Sequence, residues 1–171
     1  MRANRLVTAV LVASTTAFAL AGCSSGPPPK SQASPLLSRL MPSFSGETLT
    51  NNDFVSEQGD GHKMIVKFFS TSCDRCADTL AAVQRIQSDD SSVVVVGIAE
   101  DDSETETRRF VSQRGVHFPI LLDKKGSLAR EYHVANVPTT FVITAKGSVA
   151  WVGGPDQTED GIRSALASAT D

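Results

Sequence analysis

The chain has 171 residues, 40% of them apolar, with 16 Lys and Arg against 19 Asp and Glu for a formal net charge of −3. That length and composition suit one folded domain with a sizeable core, and the acidic balance lacks the basic patch that a nucleic-acid surface requires, which excludes nucleic acid as a partner. Of the three cysteines, at most two can pair with each other, so one needs a separate explanation.

From the N-terminus, Arg2 and Arg5 precede an apolar run from Leu6 to Leu20, followed by Ala21-Gly22-Cys23. This is the layout of an export signal over residues 1–22. Its last four residues, Leu20-Ala21-Gly22-Cys23, resemble a bacterial lipobox. The resemblance implies cleavage before Cys23 and lipidation of its sulfur, which accounts for the odd cysteine. A transmembrane anchor is the competing reading. The run, however, is shorter than the ~20 apolar residues that span a bilayer and contains Thr8, Ser14, Thr15 and Thr16. Loss of Arg2 and Arg5 leaves 14 basic against 19 acidic residues, near −5. Residues 23–35, rich in Ser and Pro, have little to bury and read as the lipidated Cys and a flexible tether. One domain without detectable repeats follows over residues 36–171.

Within that domain, Pro42 to Leu49 suggests a small hairpin and Asn52-Asp53-Phe54 a turn. Strands are expected at Met64 to Phe69, Val93 to Ala99, Thr139 to Thr144 and Ser148 to Val152. The first two are continuously apolar apart from Lys67, which suits strands covered on both faces. Helical spacing runs through Asp74 to Ser88, and again through Ser103 to Arg114 with a Ser103-x-x-Glu106 capping box and Gly115 at its end. A short helix is expected from Ser127 to Tyr132 and an amphipathic one from Thr158 to Ala169. Ala145-Lys146-Gly147 makes the last two strands an antiparallel hairpin. The order is βαβαββα, an α/β fold with a mixed sheet and helices on both faces.

Cys73 and Cys76 follow the first core strand directly. Two thiols three residues apart at a helix start lie on one side and reach disulfide distance. The unpaired N–H groups of the helix end favour a thiolate, so Cys73 is the candidate nucleophile. Cys76, Leu80 and Val83 share one helical face, which turns Cys76 inward as the resolving thiol. A structural zinc site or a static disulfide is the alternative, but zinc needs about four ligands and no second Cys or His pair exists. His62, His117 and His133 are dispersed.

Cys73-Asp74-Arg75-Cys76 after the first core strand, with Val137-Pro138-Thr139-Thr140-Phe141 before the third, resembles the thioredoxin fold. Together with the lipobox, the tether and Phe118-Pro119-Ile120-Leu121-Leu122-Asp123, the chain looks like the membrane-anchored extracytoplasmic thioredoxins of the TlpA and ResA type over Pro42 to Asp171. The resemblance implies a cis-proline at Pro138 beside the active pair, where a trans proline in an ordinary turn is the alternative. It also implies a substrate-binding surface around Val137, Thr139 and Ser72. Further implications are a Cys73–Cys76 disulfide, no cofactor, no metal, a membrane thiol electron donor, and a monomer facing the extracytoplasmic side of the cell membrane. The activity it implies is a thiol-disulfide oxidoreductase that reduces exported partner proteins, with a role in cytochrome c maturation in some relatives.

Three departures from that pattern surround the pair. Ser72 stands where an aromatic residue usually precedes the nucleophile, and Thr79 stands where ResA-like proteins carry a glutamate. Lys67 stands six residues before Cys73, in place of a buried aspartate or asparagine. Either Lys67 reaches under the pair and, when charged, favours thiolate, or its head snorkels to solvent. Glu100, at the carboxyl end of the second core strand, is a candidate replacement for the missing glutamate; the alternative is a solvated member of the Glu100-Asp101-Asp102 loop. Two other functions share the fold. A peroxiredoxin-like peroxidase would need a Pro and a Thr around one Cys, and Thr71 is one residue too close. A Sco-like copper-binding chaperone would need His117 or His133 as a third ligand and one more residue between the thiols.

Overall fold

The computed structural model describes residues 30–101 and 103–171. The export segment, Cys23, the tether through Pro29 and Asp102 lie outside the described residues. Twelve elements follow one another: β1 (Ser45–Glu47), β2 (Asp53–Val55), a 3-10 turn (Ser56–Gly59), β3 (Met64–Phe69), α1 (Cys76–Asp89), β4 (Val94–Ala99), α2 (Glu104–Ser112), β5 (Ile120–Leu122), α3 (Ser127–Glu131), β6 (Thr139–Ile143), β7 (Val149–Gly153) and α4 (Glu159–Ser168).

Five strands form one sheet in the order β5-β4-β3-β6-β7. β3, β4 and β5 run parallel, whereas β6 is antiparallel to both β3 and β7. All six residues of β3 are buried, as a continuously apolar central strand demands. Alternation along β3 divides its side chains between two layers. Ile65 and Phe69 join Cys76, Leu80 and Val83 of α1 and Ile162 and Ala165 of α4. Met64, Val66 and Phe68 join Phe44, Phe54, Tyr132 and Phe141 on the other face. There the ring of Tyr132 meets those of Phe44, Phe68 and Phe141 at centroid distances of 5.9, 5.3 and 5.1 Å, and its hydroxyl donates to the Pro42 carbonyl at 2.8 Å.

Helices α2 and α4 are capped by side chains. Ser103 accepts from the Glu106 N–H at 3.3 Å, Thr158 accepts from that of Gly161 at 3.1 Å, and Gly115 takes a left-handed φ of +60° just beyond α2.

Three sequence expectations change. A third parallel strand, β5, was absent from the expected order; it has three residues and begins directly after Pro119, too short for an alternation signal to emerge. The segment Asn52-Asp53-Phe54, expected as a turn, supplies two residues of β2, because Phe54 is buried and stacks on Phe44 at 5.9 Å. Helix α1 begins at Cys76 rather than Asp74. Cys73, Asp74 and Arg75 form a turn closed by the Cys76 N–H donating to the Cys73 carbonyl at 3.1 Å.

Both sheet edges are covered. On the β7 side, the Gln32 N–H donates to the Val152 carbonyl at 2.7 Å and the Val152 N–H to Ser31 Oγ at 2.9 Å, while Leu37 and Leu40 bridge to Val149 and Ser148. On the β5 side, Thr48 bridges to Leu121 and the Leu49 N–H donates to the Ile120 carbonyl at 2.8 Å.

Candidate active site

Cys73 and Cys76 are joined by a disulfide across the turn that leads into α1, with their Cα atoms 5.3 Å apart. Cys76 is fully buried and Cys73 partly exposed. The helix explains the asymmetry. Cys76 opens α1 on the face that carries Leu80 and Val83 into the core, while Cys73 remains in the turn above the end of β3. A thiol at Cys76 meets the unpaired N–H groups of α1 but lies among apolar side chains that disfavour its charge.

The Val137–Pro138 peptide bond is cis. Pro138 is buried and Val137 half-buried. Because Phe68 pairs with Thr139, the loop ahead of β6 stands at the same end of the sheet as the turn that follows β3. Thr139 Oγ1 donates to the Asn136 carbonyl at 2.6 Å, which fixes the loop from inside.

Two flanking clamps hold these loops, and both come from residues that sequence reasoning did not single out. On one side the Asp101 carboxylate accepts from the Thr71 N–H at 3.0 Å, Thr71 Oγ1 at 3.0 Å and Ser70 Oγ at 2.9 Å. Ser70 Oγ in turn accepts from the Ser72 N–H at 3.2 Å. The segment before Cys73 is thus fastened to the end of β4. On the other side Gln157 Nε2 donates to the Pro138 carbonyl at 3.2 Å, and Arg75, between the cysteines, pairs with Asp156 and donates to the Pro155 carbonyl at 3.4 Å. The β7–α4 loop therefore touches both the cysteine turn and the proline loop. The Arg75–Asp156 pair is exposed and adds little stability. The signal for these clamps was faint: an acidic residue at a strand's carboxyl end for Asp101, and nothing for Gln157.

Lys67 is 0% exposed. Its Nζ donates to Thr140 Oγ1 at 3.0 Å, so the snorkelling alternative does not hold. Alternation places Lys67 with Ile65 and Phe69, in the layer that contains Cys76. Burial pushes its amine well below the usual lysine range, toward the neutral form. Glu100 takes the opposite parity. It continues the side of Ile98, away from Cys76, and its carboxyl is raised by burial and by the like charges of Asp123 and Asp101. Its Oε1 is buried without a hydrogen-bond partner. The structure therefore does not bring Glu100 to the cysteines, and its neighbour Asp101 reaches the loop instead. Thr79 is buried and bonds back to the Arg75 and Cys76 carbonyls at 3.3 and 3.2 Å. Among the described residues no group of three or more His, Cys, Asp or Glu side chains is placed to hold a metal ion, and exposed His117 and His133 do not join the cysteines.

Residues 37–152 match the AhpC/TSA family. The chain belongs to that family. Among its relatives, the thioredoxin-like protein YneN of Bacillus subtilis is 33% identical over 63% of this chain and 65% of its own length. The chain thus spans just under two thirds of that relative. The sporulation thiol-disulfide oxidoreductase A of B. subtilis is 30% identical over 62% of this chain and 67% of its own length. A secreted disulfide oxidoreductase of Mycobacterium tuberculosis shares the fold with a TM-score of 0.68 at 23% identity, covering 74% of this chain and 96% of that one. The fold is thioredoxin-like, and the loop after β3 carries the bonded Cys73–Cys76 pair.

Proposed function

We propose that this chain is a lipid-anchored, extracytoplasmic reductase of disulfides in exported proteins, with apocytochrome c among its candidate partners. The observation that carries this reading is the unequal burial of a bonded Cys73–Cys76 pair beside Pro138. Export and anchoring rest on the signal and Cys23, and the M. tuberculosis neighbour, a secreted protein, supports the compartment. Among the described residues no helix is long and apolar enough to cross a membrane.

The Cys73 thiolate attacks one sulfur of a partner disulfide, forming a mixed disulfide and releasing the partner's other sulfur as thiolate. Cys76, on losing its proton, attacks the Cys73 sulfur. The Cys73–Cys76 disulfide forms and the partner's second sulfur leaves as thiolate, so two electrons have passed to the partner. A membrane dithiol of matching chemistry restores the reduced pair. Val137 and Thr139 flank the proline and offer backbone groups to an extended partner segment, with Ser72 on the opposite rim. Lys67 acts on Cys76: a buried amine held toward neutrality has a lone pair for the thiol proton, in the layer where a thiolate is otherwise disfavoured.

The peroxidase alternative is weakened by Thr71, whose hydroxyl is committed to Asp101. Trapping tests the reading. A Cys76→Ala chain should hold a partner on Cys73 as a mixed disulfide identifiable by mass spectrometry, and Cys73→Ala should not. Equal trapping by both would overturn the assignment of nucleophile. Cu(I) binding or peroxide consumption without insulin reduction would replace the function itself. Cys23→Ser should release the chain from the membrane fraction.

A further inference from the structure

Beside the nucleophile, α2 and the segment before Cys73 enclose an open cavity of about 320 Å³. Thr71 and Ser72 form one wall. Glu106, Arg109, Phe110 and Arg114, spaced as one helical face, form the other. Phe110 stacks on Phe69, the last residue of β3, with centroids 6.2 Å apart and planes within 16°, which ties this helical face to the active-site end of the sheet.

The chemistry of the lining is cationic. The Arg114 guanidinium lies 3.6 Å from the centroid of the Phe110 ring, and one of its amino groups donates to the Phe110 carbonyl at 2.9 Å. The ring face is therefore already occupied. Arg114 Nε is buried and has no hydrogen-bond partner among the described residues, so no carboxylate offsets the charge of this guanidinium at that atom. Exposed Arg109 forms no side-chain hydrogen bond or ion pair with any described residue. Glu106 offsets one of the two positive charges, and the nearby Asp101 carboxylate is engaged by Ser70 and Thr71.

We infer that this cavity is a specificity subsite that takes a carboxylate side chain of the disulfide-bearing partner, next to the cysteine under attack. The inference rests on the reductase reading and adds a substrate class to it. Ser72 is adjacent to Cys73, and an extended peptide rises about 3.3 Å per residue, so a Glu or Asp one or two positions from the attacked cysteine reaches the cavity. A small residue at position 72 leaves this wall open.

Three disulfide-bearing peptides, identical except for Glu, Lys or Phe two residues from the cysteine, test it by kcat/KM under a dithiol reductant. The Glu peptide should be preferred over the Lys peptide by about five- to tenfold at low salt. That preference should shrink at 1 M salt, where the screening length falls to about 3 Å. Arg109→Glu should invert the order, Arg109→Lys should retain it, and Glu106→Gln should widen it. Each readout is a ratio within one preparation, so partial misfolding of a variant does not disturb it. Equal rates for all three peptides would overturn the subsite and leave the reductase reading intact. A Phe preference untouched by Arg109→Glu would show an apolar pocket instead and also overturn it. No reduction of any peptide would remove the subsite and the reductase reading together.

Discussion

The two faces of the sheet bury comparable side chains to different ends. The face carrying Phe44, Phe68, Tyr132 and Phe141 is an aromatic cluster in which the tyrosine hydroxyl has its acceptor, and the unpartnered Glu100 carboxyl lies on the same side beyond the end of β4. The face carrying Cys76 also buries Lys67, whose amine has the single hydroxyl of Thr140 as its recorded partner. One layer supplies stability and the other tolerates an expensive group where the redox pair sits, a division expected when function is placed on a fold already secured elsewhere.

The largest blow to that division should come from the aromatic side. Phe141→Ala should cost about 3–5 kcal/mol in denaturant unfolding, yet leave turnover per folded molecule unchanged below the transition. If turnover fell in proportion, the faces would not be separable.

Lys67→Met should do the reverse, raising stability while slowing resolution of the mixed disulfide. The folded pKa of Lys67 is depressed, so the unfolded chain binds more protons between that value and about 10.4. Wild-type stability should therefore rise with pH across that window and fall as pH drops through the folded value, and the Met variant should lose this slope. A variant with unaltered stability would mean that the amine is better solvated than its burial indicates. An unaltered pH dependence of mixed-disulfide decay would remove its role at Cys76.

Asp101→Asn keeps the shape of the clamp but weakens three contacts. About 1–3 kcal/mol of stability should go, with a several-fold slower attack by Cys73, measured by single-turnover kinetics. Smallest of all should be Glu100→Gln. The Glu100 carboxyl is raised in the fold, so its contribution is present below the unfolded value and lost as pH rises through the folded one. The Gln variant should thus be the more stable at neutral pH and converge with wild type on acidification, without change in insulin reduction. Loss of reduction would restore Glu100 to the site.

Much of the site was legible in sequence because its parts are local or periodic. The Cys73–Cys76 spacing, the apolar run of β3 and the Val137-Pro138 pair each carry their meaning within a few residues. The clamps did not, since Asp101 meets Thr71 across 30 positions and Gln157 meets Pro138 across a hairpin. Glu100 and Asp101 show how narrow the margin is. Successive residues at a strand's end point to opposite faces, so a shift of one position exchanges a loop anchor for a carboxyl on the far side. Lys67 stayed open between two readings for another reason: charge argues for solvent, while its place in a central strand leaves it no route there.

The covered edges of the sheet carry a further consequence. An open β5 or β7 would be a template for strand invasion by any extended segment seeking a ladder to join. With Ser31 and Gln32 lying along β7 and Thr48 and Leu49 fastened to β5, backbone rungs on both sides are already taken. The sheet is thus guarded on both sides against edge-to-edge recruitment.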